Sequence, residues 1–420
     1  MKIINLNKID QKLYYYETPN HLKVYMLRNS NVNDYYLSLN VKYGSCDTEF
    51  YIDNKYYKVS DGLAHFLEHV NFNIDDNTSA HDLFNKLGSD INAFTTFDFT
   101  SYIVNGNNKI KDNIRLLIDY VTKGYFTEKL IEKEKGIIIE EVRMGDNSPT
   151  KRFFYDANKC IYINSKRRNY ITGTEEDVRN ISLDEVNLVH DAFYNVDNMF
   201  LVVTGNFKIK DVIDGVDSIE FKKYDKKVRK KEIEEIDKVS NKYMSIINKM
   251  VEIPKVKISY KMNSSIYKDF DKEELDLYIK ILLQENFGNN SDLSEELMEK
   301  DLISNMWFEY TNEENIIVIS IVIESKNIDG VIDIIKDKMK NLLISDEVLE
   351  RKKRVAIANL INKYDDIEYV NTDIADQLIH YNKIYDNLYD LYMNINIKRV
   401  KEICNKINLK NESIIVYKGE

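Results

Sequence analysis

The segment His65-Phe66-Leu67-Glu68-His69 concentrates more chemistry than any other stretch of the chain. On an α-helix, histidines four apart lie on one face, and Glu68, three residues after His65, falls beside both. Two imidazoles can hold a divalent ion. A catalytic zinc takes three protein ligands and leaves its fourth position to water, so a further ligand must come from elsewhere while the glutamate polarises the water. The chain has only six histidines, and a chance H-x-x-E-H is correspondingly rare, roughly one in a hundred by composition. The bland alternative is a pair of core histidines beside a surface glutamate.

Such a motif needs elements that position it. The run from Asp61 to Asn71, DGLAHFLEHVN, has helical spacing, with Asp61 and Gly62 at its start. Before it, Val24 to Ser45 alternates apolar and polar residues around an Asn-rich turn, which predicts a hairpin. After it, Asp90 to Asn105 is rich in Thr, Phe and Ile and predicts two strands. Helices are expected over Ile110 to Tyr125, about Glu128 to Arg143 and about Ser182 to Phe193, and a strand ending in a Gly turn over Asn198 to Phe207. The second half repeats this order: strand VKISYKM, helix EELDLYIKILLQENF, a strand pair near Trp307 to Glu324, two helices, and a last strand ESIIVYKG. Two halves of similar order suggest a duplicated α+β unit. Between them, seven of the ten residues Lys222 to Lys231 are basic and an acidic run follows, which reads as a solvated linker. The expected division is 1–221, a charged linker 222–243, and 244–420.

Composition excludes several classes. With 420 residues and 43% hydrophobic content the chain can bury a core in each of two to three domains. Lys+Arg 59 against Asp+Glu 70 gives a net charge of -11, so neither nucleic acid nor an anionic membrane is an expected partner. Cys46, Cys160 and Cys404 are too far apart for a CxxC pair or a disulfide framework and are expected as reduced thiols. With no signal-like N-terminus and no 18-residue apolar run, a soluble, cytoplasmic protein is the expectation.

In order and spacing, AHFLEH, then INAFT at Ile91 to Thr95, EKEKGIIIEEV at Glu132 to Val142, GTEEDV at Gly173 to Val178 and FYNVDNMFLVVTGNF at Phe193 to Phe207 resemble the pitrilysin/insulinase zinc metallopeptidases. The likeness is to the short-chain branch that includes the mitochondrial processing peptidase and bacterial relatives. It covers nearly all of residues 20 to 210; beyond that it rests on length and element order.

The resemblance implies an α+β fold of two similar domains, each a mostly antiparallel sheet with helices packed on one face, together half of a clamshell. It implies a zinc metalloendopeptidase with Zn2+ as cofactor and peptides as substrates. His65 and His69 match its metal ligands and Glu68 its general base. The family's third ligand is a Glu seven residues after another functional Glu, which matches Glu141 and Glu134, with Glu134 orienting the site. Glu140 competes for the ligand role, but on a helix 134, 138, 141 and 145 share a face while 140 points about 100° away from 141. Asn92, Ala93 and Phe94 match the strand to whose edge an extended substrate is added. His81, His190 and His380 match nothing.

One departure matters. The family also uses an Arg and a Tyr from the second half to hold the substrate carbonyl, and here Met298 and Asn305 stand in those places, with no arginine between Arg229 and Arg351. The expectation is therefore a metal-bearing subunit of a heterodimer whose homologous, non-metal partner supplies the Arg/Tyr pair. A self-sufficient or homodimeric peptidase and a non-enzymatic peptide-binding scaffold remain open. Bacterial relatives resembling the chain often trim precursor or leader peptides, so peptide maturation is one expected use, with general turnover of unstructured peptides open beside it.

Overall fold

Runs rich in Tyr, Ile, Leu and Val build the N-terminal strands: β1 (Lys2–Leu6), β2 (Gln11–Glu17), β3 (Lys23–Arg28), β4 (Tyr35–Val41), β5 (Glu49–Ile52) and β6 (Lys55–Lys58). The period then becomes helical in α1 (Leu63–Asn71) and α2 (Ala80–Leu87). There follow the hairpin β7 (Asp90–Thr95) and β8 (Thr100–Gly106), then α3 (Ile110–Lys123) and α4 (Glu128–Asp146). The computed structural model describes residues 1–221 and 224–420, which group into two units. The first comprises 1–143, 170–232 and 359–389; the second comprises 144–169, 233–358 and 390–420.

The main sheet of the first unit has the order β1-β2-β3-β9-β4-β8-β7, where β9 is Met199–Gly205. Its strands are antiparallel except β3 with β9. The hairpin expected over 24–45 is therefore corrected: both strands form, but β9 lies between them. Stepping over one strand spans about 10 Å, which the six residues 29–34 cover easily. Strand β9 is buried at all seven positions, the pattern of a central strand. Helix Ile367–His380 lies against β4 and β9, held by Asn371, whose amide donates to Tyr36 O and Val202 O at 3.2 Å and whose Oδ1 accepts from Ser38 Oγ at 2.5 Å.

Part of the basic stretch also departs from expectation. Val228–Lys230 is a strand, β10, paired antiparallel with β5 in a three-stranded sheet. Lys230 meets Asp47 at 2.7 Å and Lys231 meets Glu49 at 2.6 Å, so local carboxylates rather than bulk solvent neutralise these cations. Lys222 and Lys223, which open that stretch, lie outside the described residues.

The second unit contains α5 (Pro149–Ile161) and the sheet β11-β15-β12-β14-β13, formed by β11 (Tyr243–Ile247), β12 (Lys255–Asn263), β13 (Asn305–Glu313), β14 (Ile316–Glu324) and β15 (Glu412–Lys418). Phe153, Ala157 and Cys160 of α5 share a buried cluster with Val322, Ile415 and Tyr417. Lys261 on β12 is wholly buried. Its ammonium donates to Glu235 at 2.5 Å, Ile161 O at 3.0 Å and Lys238 O at 2.9 Å, while Glu235 accepts the backbone N–H groups of Ile163, Asn164 and Ser165. All three cysteines are free. Among the described residues no helix is long and apolar enough to cross a membrane.

Candidate metal centre

Helix α1 begins on Gly62, whose φ of +83° is left-handed and whose position allows no side chain: a Cβ there would lie 2.3 Å from the carbonyl oxygen of Thr172. Gly173, at φ +72°, approaches Asp61 from the other side. The GTEEDV segment is thereby closed against the start of α1. Helical spacing then sets His65 and His69 side by side, with ring centroids 4.6 Å apart.

Helix α4 brings the third group. Glu141 Oε2 lies 3.7 Å from His65 Nε2 and 3.7 Å from His69 Nε2. Among the described residues these are the one set of three or more His, Cys, Asp or Glu able to converge on an ion, with one donor atom from each within 4.8 Å of the others. The donors fit zinc. A tetrahedral ion with bonds of about 2.0 to 2.1 Å separates its ligand atoms by about 3.4 Å, and the mix of two imidazoles and one carboxylate suits Zn2+ better than all-oxygen cations. Glu140, the sequence competitor, turns away: its side chain is 66% exposed and pairs with Arg143 at 2.6 Å.

Glu68 is 7% exposed. Burial pushes its carboxyl up to about 7, opposed by a hydrogen bond from Thr95 and reinforced by the charge of Glu141. Thr95 Oγ1 donates to Glu68 Oε2 at 2.5 Å. Glu134 lies one face-repeat before Glu141 on α4 and is also buried. Burial raises its pKa, against the pull of Lys133, of nearby His69 and of a hydrogen bond with Asn73.

Asn92, Ala93 and Phe94 sit on β7, which ends the seven-stranded sheet. Thr96 N–H donates to Phe99 O at 2.8 Å across the hairpin, and antiparallel alternation then turns the backbone groups of Phe94 and Asn92 toward β8 and those of Ala93 away from it. The Ala93 N–H accordingly meets the Asn92 side chain at 2.9 Å. Three other histidines stand apart from the cluster. His81 stacks on Phe72 at 4.9 Å, His190 bonds Val121 O at 2.9 Å, and His380 ends helix Ile367–His380. Met298 lies on helix Asp292–Glu299 and Asn305 opens β13. Sequence reasoning did not single out Thr95 and Asn73 as contacts of Glu68 and Glu134, because neither shares an element with the glutamate it touches.

Two family models match the chain: insulinase (peptidase family M16) over residues 24–175 and the peptidase M16 inactive domain over 180–355. The chain is similar to the uncharacterized zinc protease YmfH of Bacillus subtilis, with 31% identity over 402 residues that cover 93% of this chain and 92% of that protein. Among solved structures, one described as an M16-like peptidase from Alicyclobacillus acidocaldarius superposes with a TM-score of 0.89 at 22% identity, covering 98% of this chain and 99% of that one. A protease from Helicobacter pylori follows at 0.82 and 18%, covering 97% and 100%. These structural likenesses speak for the fold, and the near-full-length identity to YmfH speaks for kinship: the chain belongs to the insulinase family of peptidases, M16.

Proposed function

We propose that the chain is the zinc-bearing subunit of a metalloendopeptidase. His65, His69 and Glu141 would hold Zn2+, Glu68 would act as general base, and Glu134 would orient the site. The observation that carries this reading is the convergence of Glu141 Oε2 on both Nε2 atoms at 3.7 Å, with the buried Glu68 carboxyl on the same helix turn as the histidines. When bound, zinc would polarise a peptide carbonyl and lower the pKa of water at its open position.

The remaining steps belong to the protein. Glu68 takes a proton from the attacking water and returns it to the leaving amine, a role open to it because it is not itself a ligand. Glu134, buried beside His69, holds the site in register. The outward C=O of Ala93, and its N–H on exchange of the Asn92 side chain for substrate, pair with an extended peptide backbone at the free edge of β7, flanked by Asn92 and Phe94. Edge pairing selects unstructured peptides, among them precursor or leader peptides, because it needs free backbone and reads few side chains.

Met298 and Asn305 offer no cationic or phenolic donor to the substrate carbonyl, so a homologous subunit supplies that pair and the active form is a heterodimer. Three free cysteines fit a reducing, cytoplasmic setting. The test is peptide cleavage by the chain alone and with candidate homologous partners. Zinc-dependent cleavage that appears with the partner and falls about 10² to 10⁴-fold in Glu68→Gln supports the reading. Undiminished cleavage by Glu68→Gln sinks it.

A further inference from the structure

On the proposed function rests a second assignment: we infer that Thr95 is the positioning residue of the general base, tying the orientation of the Glu68 carboxylate to the strand that receives substrate.

The geometry is specific. Thr95 closes β7, and strand alternation places it on the same face as Ile91 and Ala93, both packed into the core that contains α1. Its hydroxyl donates to Glu68 Oε2 at 2.5 Å. A β-branched side chain in a strand has little freedom at χ1, so the donor is stiff. It is also backed from behind. Thr95 is paired in register with Thr100, whose Oγ1 lies 3.3 Å away and is anchored to Tyr43 O at 3.0 Å. Beyond Thr100 stand the buried phenols of Tyr194 and Tyr102, whose hydroxyls are 3.2 Å apart.

The consequence concerns orientation. A glutamate has three side-chain torsions, and a base that must aim one oxygen at an attacking water loses turnover if those torsions are free. Of the two carboxylate oxygens, Thr95 engages Oε2, which restricts rotation of the carboxylate about its last torsion. The residues that would bind the peptide, Asn92 to Phe94, immediately precede Thr95 on the same strand. Substrate pairing at the edge of β7 and alignment of the base are thus two functions of one hairpin.

The test uses the full chain with whatever partner renders it active. Thr95→Val keeps the shape and removes the donor; Thr95→Ser keeps the donor. In Thr95→Val, kcat should fall about ten- to a hundredfold with KM and zinc content at wild-type values, and Thr95→Ser should restore most of kcat. Crystal structures of the metal-free variants provide a readout independent of activity: Glu68 should take several positions in Thr95→Val and one in Thr95→Ser. Full kcat in Thr95→Val, loss that Thr95→Ser does not restore, or a Glu68 side chain fixed as in the wild type despite the valine would overturn the assignment. If the wild-type protein cleaves no peptide in any combination, the functional reading fails on its own and the crystallographic comparison still decides the role of Thr95.

Discussion

Glu140 and Glu141 are neighbours in sequence and meet opposite surroundings, one an arginine at the surface and the other two imidazoles. Replacing Glu141 by Gln should therefore cut zinc occupancy sharply, while Glu140→Gln should leave it at the wild-type level; metal analysis of both proteins side by side checks this. Equal occupancy in the two would remove Glu141 from the ligand set. That Glu141 rather than Glu140 shares the helix face of Glu134 was legible in the sequence, because helical periodicity separates adjacent positions by about 100°. Thr95 and Asn73 were not legible as partners of Glu68 and Glu134, since those contacts depend on how a hairpin and a loop pack onto helices, which no local spacing encodes. The buried Lys261 was likewise hidden: its strand reads clearly as VKISYKM, but the Glu235 that accepts its charge comes from a stretch that reads as solvated linker.

At the scale of elements, the site depends on how α1 and α4 are seated. Gly62 has a left-handed φ and a backbone oxygen where a Cβ would go, so Gly62→Ala should destabilise the first unit by about 2 to 4 kcal/mol and lower zinc affinity with it. Urea unfolding and zinc titration measure both effects, and a variant indistinguishable from wild type would show that the closure of 170–174 on α1 is unimportant. Helix α4 is clamped near its end by Arg143, which forks onto Glu175 at 3.0 and 2.8 Å. Hydrogen bonds from Arg143 and then Arg179 hold Glu175 at about 2, below its ordinary 4.5. Because the folded-state value is depressed, this contribution is complete above pH 4.5 and disappears as the pH falls through 2. The stability difference between wild type and Glu175→Gln should accordingly be constant at neutral pH and close toward pH 2 in an acid-unfolding series. The helices and the β7–β8 hairpin were readable from periodicity and composition. The predicted 24–45 hairpin was misread because β9, distant in sequence, outcompetes the local partner.

At the scale of the whole molecule, similar element order suggested two sequential halves, and the second family match, over 180–355, extends a likeness that the sequence motifs carried only to about residue 210. We propose 1–221 and 244–420 as the duplicated halves, joined by 222–243, whereas the compact units exchange segments across that division. Residues 244–420 expressed alone lack α5 and Glu235, and with them Phe153, Ala157, Cys160 and the counter-charge of Lys261. That fragment should show no cooperative unfolding transition, whereas a sharp transition by circular dichroism would mean that 144–169 is dispensable to the second unit. Every role assigned to the site presupposes a metal, so the most direct measurement is the zinc content of the full chain, purified without chelator and again after stripping and reloading. The account predicts one zinc per chain, held in Glu68→Gln as in the wild type; less than about a tenth of an equivalent, with no rebinding after reloading, would contradict it.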